Sequence, residues 1–483
     1  MPSAAPYFVC AQCGQTQRKW SGQCAQCGEW NSLTPQTGAA ARPIGKKAQG
    51  LAQGRAQGRA HELHSLTDAA EMPTPTRRRS GMGELDRVTG GGLVAGSVLL
   101  LGGDPGIGKS TLLMQIAGHV GAKAGAPVLY VSGEESLQQL RLRAQRLGID
   151  APQLDLTSLT QVDDILATLR AERRHRLILV DSIQTMWTSQ LDAPAGTVTQ
   201  LRAATQLLLD YAKAEDATVI LVGHVTKDGQ IAGPRVLEHM VDVVIYFEGE
   251  ATSGFRLVRA VKNRFGPANE IGVFEMQERG LVEVPNPSEM FLRGRDAPQP
   301  GSAVLAGLAG TRPLLVEVQA LSARSSLAQP RRAVLGWNQA RLSMILAVLE
   351  TRAGLRFGAQ DVFLNIAGGL HIRDTGADLA VAAALASAAG DRAWPSDLVV
   401  FGELSLSGAL RPVGQSAARL KEAARLGFRR ALMPPAAQRE EAKAWDAILP
   451  CQTIASVRDL PAFLDRISGK PRMPDKSRMP DKQ

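Results

Sequence analysis

The 483-residue sequence lacks any apolar run that approaches the roughly 20 residues of a membrane-spanning helix. Its first residues also lack the positively charged and apolar regions of a secretory signal peptide. These two absences exclude an integral membrane protein, and we expect a cytoplasmic protein with no membrane partner. The length suggests about three domains, and a hydrophobic fraction of 44% is enough for packed cores.

The central part of the chain lacks net charge, although the whole sequence carries +9. Residues 81–468 contain 40 basic and 40 acidic side chains, whereas residues 35–80 have a surplus of five basic groups and residues 469–483 a surplus of three. Within the central part, residues 285–468 hold 21 basic and 16 acidic side chains. The positive charge that could attract a nucleic acid therefore lies in the flanking segments and in the C-terminal third.

Two of these segments lack the regularly spaced large apolar residues that a core needs. Residues 35–80 are rich in Ala, Gly, Gln and Arg and repeat an Ala-Gln-Gly-Arg unit in tandem. Residues 469–483 contain an Arg-Met-Pro-Asp-Lys unit twice, with a proline that discourages helix in each copy. We predict a flexible basic linker over 35–80 and a disordered tail over 469–483.

The sequence has only five cysteines, and four of them form two Cys-x-x-Cys pairs near the start: Cys10, Cys13, Cys24 and Cys27. Four thiolates in a closed tetrahedral arrangement suit Zn²⁺, and a module of about 30 residues is too small to fold around its own core. Two disulfides are the alternative, which a reducing compartment disfavours. We predict a structural zinc module over residues 1–34. Trp20 and Trp30 are expected to cover the metal site, and ordinary packing is the favoured alternative for both.

A phosphate-binding loop is the clearest motif in the chain. The segment Gly103–Ser110 fits the Walker A pattern, and it lies between an apolar strand and a helical stretch. An accidental glycine-rich turn is the alternative, which both correct flanks disfavour. We expect ATP or GTP to bind here, with Lys109 at the β/γ oxygens and Ser110 at Mg²⁺. The predicted nucleotide-binding residues are Gly103, Asp104, Pro105, Gly106, Ile107, Gly108, Lys109, Ser110 and Thr111.

Acidic side chains follow two of the later apolar strands. Glu134 and Glu135 come after 128–131, and Asp181 ends 177–181. Carboxylates at the carboxyl edge of a parallel sheet lie where ligands bind, so Glu134 is predicted to polarise the attacking water and Asp181 to hold Mg²⁺. Helix capping is the alternative for each of these acids, above all for Glu135.

Further polar residues end two more strands. His224 follows 218–223 and precedes a glycine-rich basic loop, which suits a γ-phosphate sensor. Lys262 and Arg264 end the strand that begins near Leu257, and two cations there could reach the nucleotide of a neighbouring subunit. A solvated β-turn explains the same two residues equally well, and the chemistry alone leaves both possibilities open.

Taken in order, the zinc module, the phosphate loop and the segments Ser132–Ser136, Gly223–Gly229 and Lys262–Gly266 resemble the RadA (Sms) family of bacterial DNA repair proteins. The resemblance implies a RecA-like ATPase core in a hexameric ring of the DnaB type, which works on single-stranded and branched DNA and promotes branch migration after RecA-mediated strand exchange. It also implies that Lys262 and Arg264 act at a subunit interface or couple to DNA. Residues 189–200 and 225–234 match the loops that face DNA in such cores.

The C-terminal third resembles the proteolytic domain of Lon, whose members use a Ser–Lys dyad. The stretches that match the two dyad motifs place Ala377 at the serine and Ala417 at the lysine. An alanine offers neither a nucleophile nor a base, so we expect no peptidase activity. Without catalysis, the five surplus positive charges of 285–468 suit the backbone of DNA.

We therefore predict an α/β protein with an N-terminal four-Cys zinc knuckle, a RecA-like ATPase core over 81–284 and a Lon-protease-like domain over 285–468. Three functions stay open at this stage. The first is a DNA-dependent ATPase of the RadA type that requires ATP, Mg²⁺ and Zn²⁺ and has RecA as a partner. The others are a RecA-like ATPase regulated by a protein partner and an ATP-dependent peptidase. Stimulation by single-stranded DNA separates the first from the others.

Overall fold

The fold is taken from a computed structural model of the chain. The structure describes residues 7–10, 16–17, 19–25, 30, 33–36, 76–122, 127–171, 174–224, 236–249, 254–294, 297–327 and 329–467. The centre of the predicted linker, the predicted tail, Cys13 and Cys27 lie outside the described residues. Within the described part, no helix combines the length and the hydropathy that crossing a bilayer requires.

The chain divides into two compact units. The first contains Met1–Phe247, Ala260–Gly266 and Glu278–Leu281, and the second contains Glu248–Arg259, Pro267–Gln277 and Val282–Gln483. The predicted domain boundaries stay predictions, because they were drawn from composition and motifs rather than from contacts.

A small antiparallel sheet lies at the start of the first unit. Its strands are β1 (Tyr7–Cys10), β2 (Thr16–Gln17) and β3 (Leu33–Gln36), in the order β2, β1, β3. Cys10 pairs with Leu33 across β1 and β3, and Cys10, Leu33 and Cys24 are buried together.

A parallel α/β sheet forms the centre of the first unit. Its elements, in chain order, are β4 (Arg77–Arg78), α1 (Gly83–Val88), β5 (Leu93–Val94), β6 (Val98–Gly103), α2 (Lys109–Gly121), β7 (Val128–Ser132), α3 (Leu137–Arg146), β8 (Leu154–Thr157), α4 (Val162–Ala171), β9 (Leu177–Asp181), α5 (Val198–Glu215), β10 (Thr218–His224), α6 (Val236–Met240) and β11 (Val243–Glu248). The strands of the parallel sheet run in the order β11, β6, β10, β9, β7, β8, and each pair of neighbours is parallel. Strands β4 and β5 pair with each other in a separate two-stranded antiparallel sheet. The predicted alternation of strands and helices is confirmed.

Burial on both faces explains why these strands are continuous apolar runs. Every residue of β6, β7 and β9 is buried, as parallel strands covered by helices require. Because the strands are parallel, their carboxyl ends meet at one edge of the sheet. That edge carries the ends of β6, β7, β9 and β10, and so collects the polar residues that the sequence places there.

The second unit contains three neighbouring strands, the first two of them antiparallel, and a mixed seven-stranded sheet. Its elements, some of whose terminal residues count with the first unit, are β12 (Phe255–Asn263), β13 (Ile271–Gln277), β14 (Gly280–Glu283), α7 (Pro287–Phe291), β15 (Ser302–Ala309), β16 (Arg312–Arg324), β17 (Arg332–Leu335), α8 (Gln339–Ala353), β18 (Gln360–Ile366), α9 (Ala377–Gly390), β19 (Leu398–Val400), β20 (Glu403–Leu404), β21 (Leu410–Arg411), α10 (Ser416–Arg425), β22 (Arg430–Met433), α11 (Arg439–Ile448), β23 (Cys451–Thr453) and α12 (Leu460–Ile467). The sheet order is β17, β18, β16, β15, β19, β22, β23.

Helix α9 lies at the centre of the second core. Its first eleven residues, from Ala377 to Ser387, are all buried, and six of them are alanine. A helix that is apolar on every side must be enclosed, and small side chains allow the surrounding elements to pack closely against it.

Candidate functional site

The phosphate loop joins the end of β6 to the start of α2. Gly106 and Gly108 have φ angles of 76° and 115°, in the left-handed region that glycine adopts without steric cost. A Cβ atom on Gly103 would lie 2.6 Å from the carbonyl oxygen of Phe247, whereas one on Gly106 would meet no atom within 4 Å. Close packing at Gly103 therefore fixes one side of the loop. The side at Gly106 is open, and there the backbone N–H groups can surround a phosphate.

Lys109 is the first residue of α2, and its side chain is buried. Its Nζ donates to the carbonyl oxygens of Gly103 and Asp104 at 2.7 and 2.8 Å. Burial lowers the pKa of this amine, whereas the carboxylates of Asp181, Asp104 and Glu134 raise it. The structure thus brings the predicted lysine and both predicted strand-end acids into one electrostatic environment.

Asp181 is held by a buried tyrosine. Its Cα pairs with that of Ser132 across β9 and β7, and Tyr130 Oη donates to Asp181 Oδ2 at 2.7 Å. Burial, followed by the charge of Asp181, raises the pKa of Tyr130 well above its usual value. Tyr130 therefore remains a hydrogen-bond donor at any physiological pH, and it fixes the orientation of the carboxylate.

The two glutamates after β7 have different partners. Ser182 Oγ donates to Glu134 Oε1 at 2.5 Å. Arg143 in α3 donates two hydrogen bonds of 2.5 Å to Glu135. Glu135 therefore stabilises the first turns of α3 through an ion pair, whereas Glu134 contacts the residue next to Asp181.

The remaining predicted nucleotide contacts lie at the same edge. Ser110 and Thr111 are in the first turn of α2, and the Cα of His224 at the end of β10 pairs with that of Gly103. The loop after His224, residues 225–235, lies outside the described residues.

The donors at this edge fit a magnesium nucleotide. The hydroxyl of Ser110 and the carboxylate of Asp181 are hard oxygen ligands of the kind that Mg²⁺ prefers. The open side of the loop at Gly106 leaves room for a phosphate, and Lys109 supplies a compensating positive charge.

Lys262 and Arg264 lie away from this edge. Lys262 Nζ donates to the carbonyl oxygens of Glu238 and Val241, at 2.8 and 2.7 Å, and more weakly to that of the intervening His239. Glu238 and His239 belong to the last turn of α6, and Val241 is the residue that follows the helix. Burial, followed by the charge of Arg264, lowers the pKa of Lys262.

The contacts of Arg264 show which edge of the sheet this is. Arg264 pairs with Asp242 at 3.2 Å, and the other oxygen of Asp242 accepts from the backbone N–H of Val98 at 3.1 Å. Val98 begins β6, whereas the phosphate loop follows its end, roughly 17 Å away at the usual rise of a strand. The structure therefore does not bring these two cations to the phosphate loop of the same chain.

Two side chains, one buried and one ionised, anchor the loop after β9 that was predicted to face DNA. The Gln200 side chain bonds the backbone of Thr188, Leu191 and Ala193 at distances of 2.9–3.2 Å. Asp163 accepts from Ser189 and from its neighbours Thr188 and Gln190. Burial opposes ionisation of Asp163, but these hydrogen bonds outweigh it and lower its pKa to about 2. The loop is thus fixed at its base.

Cys10 and Cys24 are the two predicted zinc ligands within the described residues. Both are buried, and the Gln17 amide approaches Cys24 Sγ at 4.0 Å. Buried cysteine sulfurs, one of which faces an N–H donor, fit a thiolate metal site. Trp20 and Trp30 are 57% and 67% exposed. Because Cys13 and Cys27 lie outside the described residues, the expectation that these two side chains cover the site stays a prediction.

The predicted positions of the peptidase dyad fall on two helices of the second unit. Ala377 begins α9 and is fully buried, and Ala417 lies in the first turn of α10. Beside them, Arg419 donates to Asp374 at 2.5 and 3.0 Å, and Arg341 donates two hydrogen bonds to Asp378. Ion pairs, rather than a nucleophile and a base, therefore surround this position.

The serines near the dyad have structural partners. Ser387 is buried in α9, where its Oγ accepts from Gly301 N–H at 2.8 Å and donates to the Arg392 carbonyl oxygen. Ser387 is therefore a core residue rather than a surface or capping residue. Ser405 lies in an exposed turn, bonded to Ser407 and Ala409.

Sequence reasoning missed Tyr130, Asp163, Gln200 and Asp242. A tyrosine within the apolar strand before Ser132 was a signal that could have been used, because a buried hydroxyl needs a partner. The other three lie in helices or turns where polar residues are common, and nothing in the pattern marks them.

Three family models match parts of the chain. A rubredoxin metal binding domain matches residues 8–35, an AAA domain matches 67–230 and the subunit ChlI of Mg-chelatase matches 331–437. Together with the structure, they confirm the predicted three-part α/β architecture with a zinc module, a RecA-like core and a Lon-like C-terminal domain.

Similar full-length proteins are named DNA repair protein RadA. The relative from Brucella abortus is 54% identical and the match covers 88% of this chain and 91% of the relative. The relative from Pseudomonas aeruginosa is 49% identical over 90% of this chain and 94% of its own length. Among solved structures, the RadB recombinase matches 42% of the chain with 23% identity and a TM-score of 0.35.

Proposed function

Because the chain belongs to the RadA family of DNA repair proteins, we propose that its RecA-like ATPase core drives a DNA-dependent motor that processes recombination intermediates. The proposal rests on the arrangement at one edge of the parallel sheet, where the carboxylates of Asp181 and Glu134 interact electrostatically with the amine of Lys109. The relatives' role in DNA repair also favours a cytoplasmic protein.

The residues at this edge have separate tasks in hydrolysis. Lys109 exchanges its two carbonyl acceptors for the β/γ oxygens of the nucleotide, whose negative charge its amine compensates. Ser110 and Asp181 hold Mg²⁺, which neutralises phosphate charge when bound. Glu134, oriented by Ser182, orients and polarises the attacking water. His224 at the end of the adjacent strand senses the γ-phosphate.

We further propose that each nucleotide site is completed by a neighbouring subunit in a hexameric ring of the DnaB type. Lys262 and Arg264 lie at the edge of the sheet opposite to their own phosphate loop, so they can contribute to hydrolysis only from another copy. Arg264 keeps more than half of its side chain exposed while it pairs with Asp242. An exposed guanidinium of this kind suits a trans-acting finger.

Mixing two inactive variants tests this arrangement. Lys109→Ala removes a subunit's own site, and Lys262→Ala removes its contribution to a neighbour. In a trans-acting ring, mixed assemblies contain complete sites, so the mixture should hydrolyse ATP faster than either variant alone. A mixture that stays as slow as its components would show that Lys262 acts within its own subunit.

We propose that DNA contacts both units. In the first, the anchored loop around residues 189–200 presents exposed polar groups at the nucleotide edge. In the second, the surplus of five positive charges over 285–468 suits the phosphate backbone of single-stranded or branched DNA, without sequence preference. We propose that these DNA contacts serve branch migration after strand exchange, with the RecA filament as a partner.

The first experiment is steady-state ATP hydrolysis with and without single-stranded DNA, at two salt concentrations, with Lys109→Ala as the blank. Stimulation that weakens at high salt would support the DNA-coupled motor, because phosphate contacts release counterions. Hydrolysis that does not respond to DNA would instead favour an ATPase regulated by a protein partner. Incubation of the same protein with unfolded casein should leave the casein intact, since Ala377 and Ala417 supply no dyad.

We propose that the N-terminal module holds a structural Zn²⁺ through Cys10, Cys13, Cys24 and Cys27. Cys24→Ser should release the metal, as measured by a colorimetric chelator, and should leave DNA-independent ATP hydrolysis within about twofold of the wild type. Cys451→Ser is the matched control, because burial raises the pKa of that thiol to about 11 and makes it a poor ligand. Retention of stoichiometric zinc by Cys24→Ser would contradict the assignment.

A further inference from the structure

The second unit contains a cavity of about 460 Å³ beside the position of the absent dyad. Its polar lining consists of Asn338, Arg341, His371, Arg373, Asp374 and Thr375. Asn338 caps the start of α8, and Thr375 lies two residues before α9. The positive ends of two helix dipoles therefore approach one concave site.

The charges around this cavity do not cancel. Asp374 is paired with Arg419, and Arg341 is paired with the buried Asp378. His371 and Arg373 remain, and neither forms an ion pair or a side-chain hydrogen bond with any residue in the described part of the chain. Both residues are exposed, whereas the intervening Ile372 is buried.

We propose that this cavity binds a phosphate monoester, the terminal phosphate of a nucleotide or of a DNA strand. A monoester carries a charge near −2, which Arg373 and a protonated His371 would together balance. A backbone diester or a carboxylate carries only one negative charge. The planar guanidinium of Arg373 can donate two parallel hydrogen bonds to such a group, and the volume lies within the range of small-ligand pockets.

The environment of His371 predicts how binding depends on pH. Burial lowers the pKa of His371, and the neighbouring Arg373 and Arg259 lower it further, while Glu248 opposes them. Glu248 is itself paired with Arg259 at 3.1 Å. A bound dianion favours the protonated imidazole, so binding takes up a proton and the affinity should rise as the pH falls.

Calorimetric titration of the full-length protein tests the proposal. The phosphate loop is first saturated with ADP and Mg²⁺, and failure of ADP to bind would count against the proposed ATPase while leaving the cavity to be tested. The probes are a thymidine trinucleotide with a 5′-phosphate, the same trinucleotide with a 5′-hydroxyl, 5′-AMP and inorganic phosphate. Sulfate, which keeps its charge between pH 8 and 6, tests the pH dependence.

We expect the phosphorylated trinucleotide to bind at least tenfold more tightly than the hydroxyl form. Arg373→Gln should weaken the binding of the phosphorylated trinucleotide about tenfold. His371→Gln should abolish the rise in sulfate affinity at low pH. Arg411→Gln removes an exposed charge outside the cavity and should have neither effect. Equal binding of 5′-AMP would identify a free nucleotide as the source of the phosphate, and a preference for the trinucleotide would identify a DNA end.

Two results would overturn the assignment. If both trinucleotides bind equally and Arg373→Gln weakens both, the cavity recognises the diester backbone. If Arg373→Gln and Arg411→Gln behave alike, no phosphate is recognised there. Arg373 is exposed, so its replacement should not unfold the domain, and an unchanged melting temperature verifies this.

Discussion

The two units of this protein place their charged residues in opposite ways. At the phosphate-loop edge of the first unit, Lys109 donates to two backbone carbonyl oxygens, and Asp181 and Glu134 accept hydrogen bonds from the hydroxyls of Tyr130 and Ser182. At the dyad position of the second unit, Arg419 and Arg341 are each committed to a carboxylate. The amine of Lys109 can therefore be drawn to a ligand, whereas the charges of Arg419 and Arg341 are neutralised within the fold.

This difference separates a reactive site from a structural one. An amine that bonds to carbonyl oxygens can exchange them for phosphate oxygens, and an acid held by a neutral hydroxyl keeps its full charge for a metal or a water. A buried Arg–Asp pair has no such freedom, because loss of either partner leaves an uncompensated charge. Side chains that are paired with each other in ion pairs therefore indicate a structural role, even where the sequence resembles an enzyme.

The largest expected effect contrasts two adjacent glutamates. Glu134→Gln should lower ATP turnover by about 10²- to 10⁴-fold, the range that a general base contributes, and should leave ATP binding unchanged. Glu135→Gln is the matched control, since Glu135 is paired with Arg143 in α3 and should lose less than threefold. Turnover is measured at steady state, and binding is measured with a fluorescent ATP analogue.

The opposite pattern would remove the assignment of Glu134. If Glu135→Gln lost turnover while Glu134→Gln kept it, the residue bonded to Ser182 would be the structural one. Equal losses in both variants, accompanied by weak nucleotide binding, would indicate a general disturbance at the start of α3 rather than a lost base.

The second prediction concerns the stability of the second unit. Arg419→Met should destabilise it by about 3–5 kcal/mol, because Asp374 would be left buried without its partner; the two side chains are only 2% and 11% exposed. Hydrogen–deuterium exchange of the peptides from α9 reports this as faster local opening.

A double variant distinguishes the ion pair from simple packing. Arg419→Met combined with Asp374→Leu removes both charges and should restore much of the protection, whereas Arg429→Met, at an exposed position, should change stability by less than about 0.5 kcal/mol. If the double variant opened as readily as the single one, the contribution of Arg419 would come from its packing against Phe401.

How much of this could be predicted from sequence differs between the two units. In the first, the Walker A segment and the acids after β7 and β9 are local patterns, and parallel strands bring their ends to one edge. The partners of those residues could not be foreseen, because Tyr130 and Asp181 are 51 positions apart. They meet through the register of β7 with β9, which no local pattern encodes.

In the second unit, the resemblance located Ala377 and Ala417 but not what surrounds them. Asp374 and Arg419 are 45 positions apart, and Asp378 and Arg341 are 37 apart. Such pairs depend on how α8, α9 and α10 pack together. The burial of Ser387 could not be predicted for the same reason, since it follows from the position of α9 at the centre of the core.

The smallest predicted effect tests the tyrosine that holds Asp181. Tyr130→Phe removes one hydrogen bond to a charged acceptor, worth about 1.5–3 kcal/mol in general. Because Asp181 is also predicted to hold Mg²⁺, we expect the Mg²⁺ concentration for half-maximal ATP hydrolysis to rise several-fold, with a smaller loss at saturating Mg²⁺. The effect should be the same from pH 6 to 9, since the raised pKa of Tyr130 keeps its hydroxyl protonated throughout.

The control for this prediction is Tyr211→Phe in α5. Tyr211 is also buried, but its hydroxyl lies near Glu215 and Arg174 rather than Asp181. It should therefore leave the Mg²⁺ dependence unchanged. If the two variants shifted that dependence equally, the effect would come from the loss of a buried hydroxyl anywhere in this core. If Tyr130→Phe alone lowered turnover at every Mg²⁺ concentration, Tyr130 would position Asp181 for hydrolysis rather than for the metal.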